Sequence, residues 1–229
     1  SLTLAAVLLA VLAVTAGAQN IGLDRITDSG LTPVDDWSYG AGWADYDQDG
    51  DLDLFVTDDD EPNALYRNEG DGTFTPVEGT PMAASDGKSI ACAWGDYDGD
   101  GWTDLFVANT SVAGEDRADN ELYRNEGDGT FTRITEGALV SSTEWSIGAA
   151  WADYDQDGHL DLFVCNFREP NGLYHNDGDG TFTRITEGDI ATGDDASFTP
   201  AWVDYDLDGD LDLFVANNLG NSFPADDNA

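Results

Sequence analysis

Four short acidic loops contain the side chains of this chain that are best suited to binding chemistry. Each loop has the pattern D-x-D-x-D-G-x-x-D, and the loops span residues 45–53, 96–104, 153–161 and 204–212. Carboxylates at alternate positions of a tight loop can converge on one point, as a hard cation requires. The candidate metal ligands at positions 1, 3, 5 and 9 are Asp45, Asp47, Asp49 and Asp53, then Asp96, Asp98, Asp100 and Asp104, then Asp153, Asp155, Asp157 and Asp161, and finally Asp204, Asp206, Asp208 and Asp212.

Calcium is the cation that we expect in these loops, at about one ion per loop. Ca²⁺ takes about six to eight oxygen ligands in a flexible cage, whereas Mg²⁺ demands a rigid octahedron and keeps its waters. The glycine at position 6 permits a backbone reversal that turns the next carbonyl inward. The backbone oxygen of position 7 is therefore a predicted ligand, and the residues that supply it are Asp51, Trp102, His159 and Asp210.

Two other interpretations of the loops are weaker. An EF-hand begins with the same D-x-D-x-D-G but needs a bidentate Glu at position 12. Position 12 is valine in every copy, at residues 56, 107, 164 and 215, and valine cannot bind a metal. A solvated turn can also be rich in Asp, but four identical constellations argue against that reading.

The loops belong to a repeat of about 50 residues. A segment ending in Trp precedes each loop, and an L-F-V segment follows it. Three copies continue into L-Y-R or L-Y-H, a G-D-G-T turn and T-F-T. These segments are rich in aromatic and β-branched residues and are bounded by Gly, Asp and Asn, as strands are. Four strands per repeat predict an all-β fold of β-propeller blades. A parallel solenoid is the alternative, although its repeats are usually shorter and lack hairpin turns.

The repeat resembles the FG-GAP/VCBS repeats. The resemblance is carried by W-x-D-Y-D-x-D-G-x-x-D-L-F-V followed by L-Y-R-N-x-G-D-G-T-F-T, and it covers roughly residues 21–218. Secreted proteins of the ASPIC/UnbV type are most similar in appearance. The resemblance implies a seven-bladed, integrin-α-like propeller that is stabilised by calcium and used in adhesion or binding, and it gives the sixteen Asp residues above the role of metal ligands. We expect residues 19–229 to be an incomplete propeller, truncated at its C-terminus.

The first residues predict export from the cytoplasm. An apolar run from Leu2 to about Val14 is followed by Ala16-Gly17-Ala18, which is typical of a signal peptide and its cleavage site. The run is shorter than the roughly 20 apolar residues of a membrane span, although an uncleaved anchor is the alternative. We expect residues 1–18 to be a partial signal peptide and the mature protein to be secreted, periplasmic or on the cell surface, with no membrane insertion.

The charge of the chain restricts its partners and its function. It has 8 Lys and Arg against 47 Asp and Glu, a formal net charge of -39, so nucleic acid is excluded as a partner. With only two His and one Lys, the chain is poorly equipped for acid–base catalysis. We expect a non-enzymatic module that binds an extracellular protein or a polysaccharide. The alternatives are a propeller part of an extracellular hydrolase or polysaccharide lyase, and a structural spacer.

Several other residues have a structural and a functional interpretation. The four Trp residues before the loops are expected to pack between blades, and the G-D-G-T segments to form hairpin turns. Trp37 and Trp145, in connecting segments, are more weakly predicted to stack against sugars. His175 occupies the position of Arg67 and Arg124 and is interpreted as a surface substitution. Asn109-Thr110-Ser111 is a glycosylation sequon.

The predicted blade topology also places the partner surface. In an up-and-down blade, the turns joining strands 1–2 and 3–4 emerge on one face, so the acidic loops and the G-D-G-T turns should share it. The opposite face carries the segments that differ between copies, including residues 58–63, 109–120 and 167–171. Variable loops on a rigid scaffold often carry recognition, and we expect the partner to bind there.

Overall fold

The computed structural model describes residues 29–31, 38–59, 61–84, 88–110, 118–142, 144–188 and 196–218. Three features of the sequence lie outside these ranges: the predicted signal peptide, Trp37, and residues 111–117 of the variable segment 109–120. In the part of the chain that the structure describes, no helix is long and apolar enough to cross a membrane.

Antiparallel sheets follow one another along the chain, and three of them have four strands. The first contains β1 (Ser38–Ala44), β2 (Asp53–Asp58), β3 (Ala64–Asn68) and β4 (Phe74–Pro76). The second contains β5 (Ser89–Gly95), β6 (Asp104–Asn109), β7 (Glu121–Asn125) and β8 (Phe131–Ile134). The third contains β9 (Ser146–Ala152), β10 (Asp161–Asn166), β11 (Gly172–Asn176) and β12 (Phe182–Ile185). The last comprises β13 (Ala196–Val203) and β14 (Asp212–Asn218).

The strand order within each sheet is the order in the chain, so neighbouring strands are joined as hairpins. This is the topology of a propeller blade, and it confirms the prediction of an all-β fold made of four-stranded blades. Short 3₁₀ helices at Pro81–Ala84 and Ala138–Val140 lie between consecutive sheets. Each acidic loop connects the first two strands of its blade, and each G-D-G-T turn connects the third and fourth.

The second strand of each complete blade is the centre of the core. All six residues of β2, β6 and β10 are buried, and the second and third blades each have a neighbouring sheet packed on both sides. A strand that is buried on both faces needs a continuous apolar run rather than an alternating one. The L-F-V segment that follows every acidic loop satisfies this requirement.

The Phe of each second strand contacts the Trp of the next blade edge-on. The ring centroids of Phe55 and Trp94 are 6.1 Å apart at an interplanar angle of 84°. The equivalent pairs repeat this geometry, at 6.4 Å and 83° for Phe106–Trp151 and at 6.3 Å and 87° for Phe163–Trp202. The prediction that these Trp residues pack between blades is therefore confirmed. Edge-to-face aromatic pairs add about 0.5–1.5 kcal/mol beyond the burial of their area.

A second contact between blades consists of buried polar side chains on the face away from the acidic loops. The amide of an Asn before each third strand donates to a Ser hydroxyl at the start of the next blade. The N···O distances are 2.9 Å for Asn63–Ser89, 3.0 Å for Asn120–Ser146 and 3.0 Å for Asn171–Ser197.

The same network contains the sequon asparagine. Asn109 is buried, its side-chain amide donates to the backbone oxygen of Asp119 at 2.8 Å, and its Oδ1 accepts from the Ser89 hydroxyl at 2.9 Å. A glycan acceptor must reach solvent, so this asparagine is structural in the folded protein, and the glycosylation interpretation does not hold for it.

The Trp contacts predict unequal effects of two matched substitutions. Trp151→Ala removes an aromatic contact with the preceding blade and the hydrogen bond from Nε1 to the Ala93 carbonyl oxygen, at 3.1 Å. We expect it to cost about 3 kcal/mol of unfolding free energy. Trp43 contacts Phe74 of its own blade and is 39% exposed. Trp43→Ala should therefore lower the free energy of unfolding clearly less than Trp151→Ala does. Denaturant unfolding measures both, and equal losses would contradict the role of Trp151 between blades.

Candidate metal centres

Backbone hydrogen bonds hold the four acidic loops in one conformation. The position 1 carboxylate accepts from the backbone N–H of the glycine at position 6, at 3.1 Å in the first loop, 2.9 Å in the second, 3.0 Å in the third and 3.1 Å in the fourth. The position 5 carboxylate accepts from the N–H of position 7, at 2.8–3.0 Å. These bonds leave the carboxylates on the inner side of a tight loop.

The loop requires positive φ at two positions, of which the sequence indicated one. The glycine at position 6 has φ between 94° and 101°, as predicted. Position 4 also lies in the left-handed region, with φ of 58° at Gln48, 72° at Gly99, 61° at Gln156 and 62° at Leu207. Only Gly adopts this region at no steric cost, so three of the loops carry local strain.

The carboxylate at position 9 is buried and fully hydrogen-bonded in the complete blades. Asp104 is 0% exposed. Its Oδ2 accepts from the backbone N–H of Tyr97 at 3.1 Å, and its Oδ1 accepts from the N–H of Asn125 at 2.8 Å. Asp53 and Asp161 repeat both contacts. Position 9 therefore connects the loop, the second strand and the end of the third strand.

Three of the four predicted carboxylate ligands lie together within each loop. Side-chain oxygens of positions 1, 3 and 9 lie within 4.8 Å of one another in the first, second and fourth loops, and those of positions 1, 3 and 5 do so in the third. In the first, second and fourth loops, position 5 is outside this set and is engaged with the backbone. All of these donors are oxygens, the type that a hard cation such as calcium prefers.

One buried oxygen in the first loop lacks a partner within the protein. Oδ1 of Asp45 is inaccessible to solvent and accepts no hydrogen bond. A buried unsatisfied carboxylate oxygen is costly, and a cation would satisfy it. The donor set and this oxygen together fit a calcium ion that Asp45, Asp47 and Asp53 would hold, and the second and fourth loops bring the equivalent residues together.

Burial makes several of these carboxyls weak acids in the metal-free protein. Burial raises the pKa of Asp53 to about 6 and that of Asp104 to about 7, and neighbouring loop carboxylates add to the increase. The pKa of Asp161 is raised for the same first reason. At position 3, burial and then the adjacent position 5 carboxylate raise the pKa values of Asp47 and Asp98.

The side chain at position 7 contacts the G-D-G-T turn of its own blade, which confirms that the two turns share a face. A Cβ placed on Gly70, Gly127 or Gly178 would lie 2.4–2.7 Å from the side chain of Asp51, Trp102 or His159, respectively. These glycines also have φ of 72–75°. The turn therefore requires glycine for its backbone conformation and for the space that position 7 occupies.

Polar residues that the sequence did not single out connect neighbouring loops. The amide of Asn125 donates to the backbone oxygen of Tyr46 in the preceding loop at 2.8 Å, and Asn176 donates to Tyr97 at 2.7 Å. The position 4 amides add a second link: Gln48 donates to the Gly101 oxygen at 2.6 Å, and Gln156 donates to the Gly209 oxygen at 2.8 Å. An Asn recurs after L-Y-R or L-Y-H in each of the three copies that contain this segment, and this recurrence could have indicated the role of Asn125 and Asn176.

The structure corrects the interpretation of His175. This side chain is partly buried, at 28% exposure, and lies against the third loop with Nδ1 at 3.2 Å from Oδ2 of Asp155 and 3.3 Å from Oδ1 of Asp161. It is therefore part of a candidate metal centre rather than a surface substitution. Its position in β11 places it beside the loop that joins β9 and β10.

Comparison with known protein families gives matches to the FG-GAP-like repeat at residues 45–107, 96–164 and 153–215. The chain belongs to the FG-GAP repeat family. It is also similar to cartilage acidic protein 1, with 29% identity over 184 residues for the protein of Xenopus tropicalis and 26% over 190 residues for that of Homo sapiens. Each alignment covers 75% of this chain and 27% of the relative, so the chain spans about a quarter of the length of these relatives.

A solved structure shares the fold. It is that of an Agrocybe aegerita lectin, whose title describes specific recognition of non-reducing terminal N-acetylglucosamine. The TM-score is 0.53 at 19% identity, and the match covers 87% of this chain and 53% of the lectin chain. At this identity the likeness establishes the propeller fold alone, and it agrees with the family assignment.

The raised pKa values predict how the metal-free protein responds to pH. Because Asp53 and Asp104 hold protons more tightly when folded than when unfolded, the folded state binds more protons between pH 4 and 7. Stability that is present near pH 4 is therefore lost as the pH rises through the folded pKa values of about 6 and 7.

Denaturant unfolding with excess chelator at several pH values measures this trend. Working in high salt screens the general repulsion of the acidic surface but leaves the buried carboxyls largely unscreened. Stability that is constant or rises from pH 5 to 7.5 under these conditions would contradict the prediction.

Proposed function

We propose that this chain is a secreted, calcium-binding β-propeller module that binds an extracellular protein or polysaccharide. The observation that supports calcium is the convergence of carboxylate oxygens in all four acidic loops. Mutual repulsion and burial oppose the ionisation of these groups in the folded chain. A divalent cation offsets both costs, so its binding favours folding by mass action.

Thermal unfolding in calcium and in chelator tests this proposal. Extracellular calcium modules bind at about 10⁻⁴–10⁻³ M, so millimolar calcium should raise the unfolding midpoint clearly above its value in excess chelator. The effect should be specific, with the same concentration of Mg²⁺ giving a smaller increase. Identical midpoints in calcium and in chelator would rule out a structural role for the ion.

A matched pair of variants in the second loop assigns the ligands. Asp104→Ala removes the position 9 carboxylate and should lower the calcium stoichiometry by one ion. Trp102→Ala removes only a side chain that packs on Gly127 and keeps the predicted backbone ligand, so its stoichiometry should be unchanged. Titration calorimetry measures both variants, and an equal loss in the two would contradict the assigned ligands.

A non-catalytic role is supported by where the reactive side chains lie. In the described ranges, every group of three or more His, Cys, Asp or Glu that could share an ion belongs to an acidic loop and its flanking strand. Such groups serve the scaffold rather than a substrate. The family assignment and the fold shared with a lectin favour a binding propeller as well.

An aromatic cluster supports the face opposite the acidic loops as the partner surface. Trp145 stacks on Phe167 at 5.8 Å and 18°, Phe198 meets Phe167 edge-on at 6.0 Å, and the Arg168 guanidinium lies 5.1 Å from the centre of the Phe167 ring. Arg168 is exposed, and Phe198 is 36% exposed. Exposed aromatic and Arg side chains are enriched at binding surfaces. The cluster lies on one of the segments that differ between repeats.

Binding to a glycan array that includes N-acetylglucosamine-terminated chains tests the choice of face. We expect Phe167→Ala with Arg168→Ala to lower binding by about tenfold or more, as loss of an interface anchor does. Changing the exposed turn residues Asp71, Asp128 and Asp179 to Asn should leave binding intact. The opposite pattern would place the partner on the calcium face.

A further inference from the structure

The third acidic loop has a nitrogen donor that the first two loops lack. Nδ1 of His175 is inaccessible to solvent and makes no hydrogen bond, although it lies 3.2 Å from Oδ2 of Asp155 and 3.3 Å from Oδ1 of Asp161. One ligand atom from each of His175, Asp155 and Asp161 lies within 4.8 Å of the other two. Nε2 of the same ring faces Oδ2 of Asp157 at 4.0 Å.

The equivalent residues of the first two blades are held by a partner two residues further along the chain. Arg67 binds Glu69 with Nη2 at 2.8 Å from both carboxylate oxygens, and Arg124 binds Glu126 at 2.7 Å. Each of these arginines is therefore held in a salt bridge with the glutamate of its own blade. Arg67 and Arg124 are always protonated and have no lone pair for a metal, so His175 is the candidate nitrogen ligand that distinguishes the third blade from the first two.

The third blade changes both members of this pair. Asp177 replaces the Glu, and its Oδ2 accepts from the hydroxyls of Thr181 at 3.2 Å and Thr183 at 3.1 Å. The glutamates of the first two blades also accept from a Thr of their own hairpins, so what differs in the third blade is that no arginine of the described ranges pairs with this carboxylate and that an imidazole lies beside the loop. Asp161, one of the two oxygen donors that it meets, is 1% exposed, so the position of that carboxylate is fixed by the core.

The spacing of these atoms suits coordination of one ion. For metal–ligand bonds of about 2.1 Å, ligand separations of 3.2 and 3.3 Å correspond to angles of about 100° at the metal. This lies between the tetrahedral and octahedral values. In addition, a ligating histidine commonly has its second ring nitrogen directed at a carboxylate, and Asp157 is located on that side of the ring.

We propose that the third loop is a site for a divalent transition metal of the zinc class, bound by His175 Nδ1, Asp155 and Asp161. Imidazole suits zinc and its neighbours in the first transition row, whereas calcium prefers oxygen donors alone. The inference refines the proposed function at one of its four loops, and the other three loops keep calcium. A bound ion would link β11 to the loop that precedes β10.

Calorimetric titration of Zn²⁺ into the full chain tests the site, with millimolar calcium present to fill the oxygen-only loops. We expect one tightly bound zinc ion in the unmodified protein. His175→Gln and His175→Arg, the latter restoring the residue of the first two blades, should weaken zinc binding by more than the roughly 10–100-fold that loss of an outer-shell partner costs. His159→Gln is the matched control, because it removes the other of the chain's two histidines and keeps the backbone oxygen of position 7, and it should retain the zinc ion.

Cobalt provides an independent readout, since a nitrogen ligand alters the visible absorption of bound Co²⁺. The cobalt spectrum of the unmodified protein should be lost in His175→Gln and kept in His159→Gln. Thermal unfolding of each variant in calcium verifies that the fold is intact.

The outcomes separate this inference from the proposed function. Zinc binding that survives His175→Gln would overturn the inference, and so would a third loop that binds calcium in the presence of zinc. A third loop that takes no ion until His175 is removed would also overturn it, because the imidazole would then be blocking the loop. Zinc binding as expected without calcium at the other loops would support the inference and contradict the proposed function.

Discussion

In the three complete blades, the buried carboxylate at position 9 connects the candidate metal centre to its blade. In the second blade, Asp104 begins β6, accepts one hydrogen bond from the loop at Tyr97, and accepts a second from Asn125 at the end of β7. A charge in this position is costly without compensation, and two N–H donors compensate only part of that cost. The remaining compensation must come from a proton or a cation, so the state of the loop and the stability of the blade are coupled.

The same asparagine carries this coupling to the neighbouring blade. While its backbone N–H binds Asp104, the Asn125 amide binds the Tyr46 oxygen of the preceding loop. The Phe–Trp contact lies in the centre of that interface, and the Asn–Ser contact lies near the opposite face. Three contacts at different depths fix the angle between blades. In repeat proteins with interfaces of this kind, the free energy of unfolding is approximately the sum of the stability of each repeat and of each interface between neighbouring repeats.

Features that depend on the repeat could be predicted from the sequence, and features that depend on a single side chain could not. The blade topology, the glycine at position 6 and the placement of Trp94, Trp151 and Trp202 all follow from residues that recur in register. The contact of His175 with Asp155 and Asp161 is made by a residue that departs from the repeat, where the first two blades have Arg67 and Arg124. The buried state of Asn109 likewise depends on tertiary contacts, with Ser89 of the paired strand β5 and with the backbone oxygen of Asp119. The calcium assignment is consistent with the geometry and stays a prediction.

The acidic loops differ from one another at positions whose side chains are not predicted metal ligands. Position 4 points its side chain away from the carboxylates, so Gln, Gly and Leu are accepted there, and Gln gains a bond to the next loop. Position 7 would bind through its backbone, so its side chain is free to fill the space beside the G-D-G-T turn as Asp, Trp or His. The third strand provides a further variable position beside the loop, at Arg67, Arg124 and His175. Because the four Asp positions of the loop carry the same residue in every copy, the zinc proposal assigns selection between ions to this neighbouring strand, where one substitution would change the donor set without changing the loop.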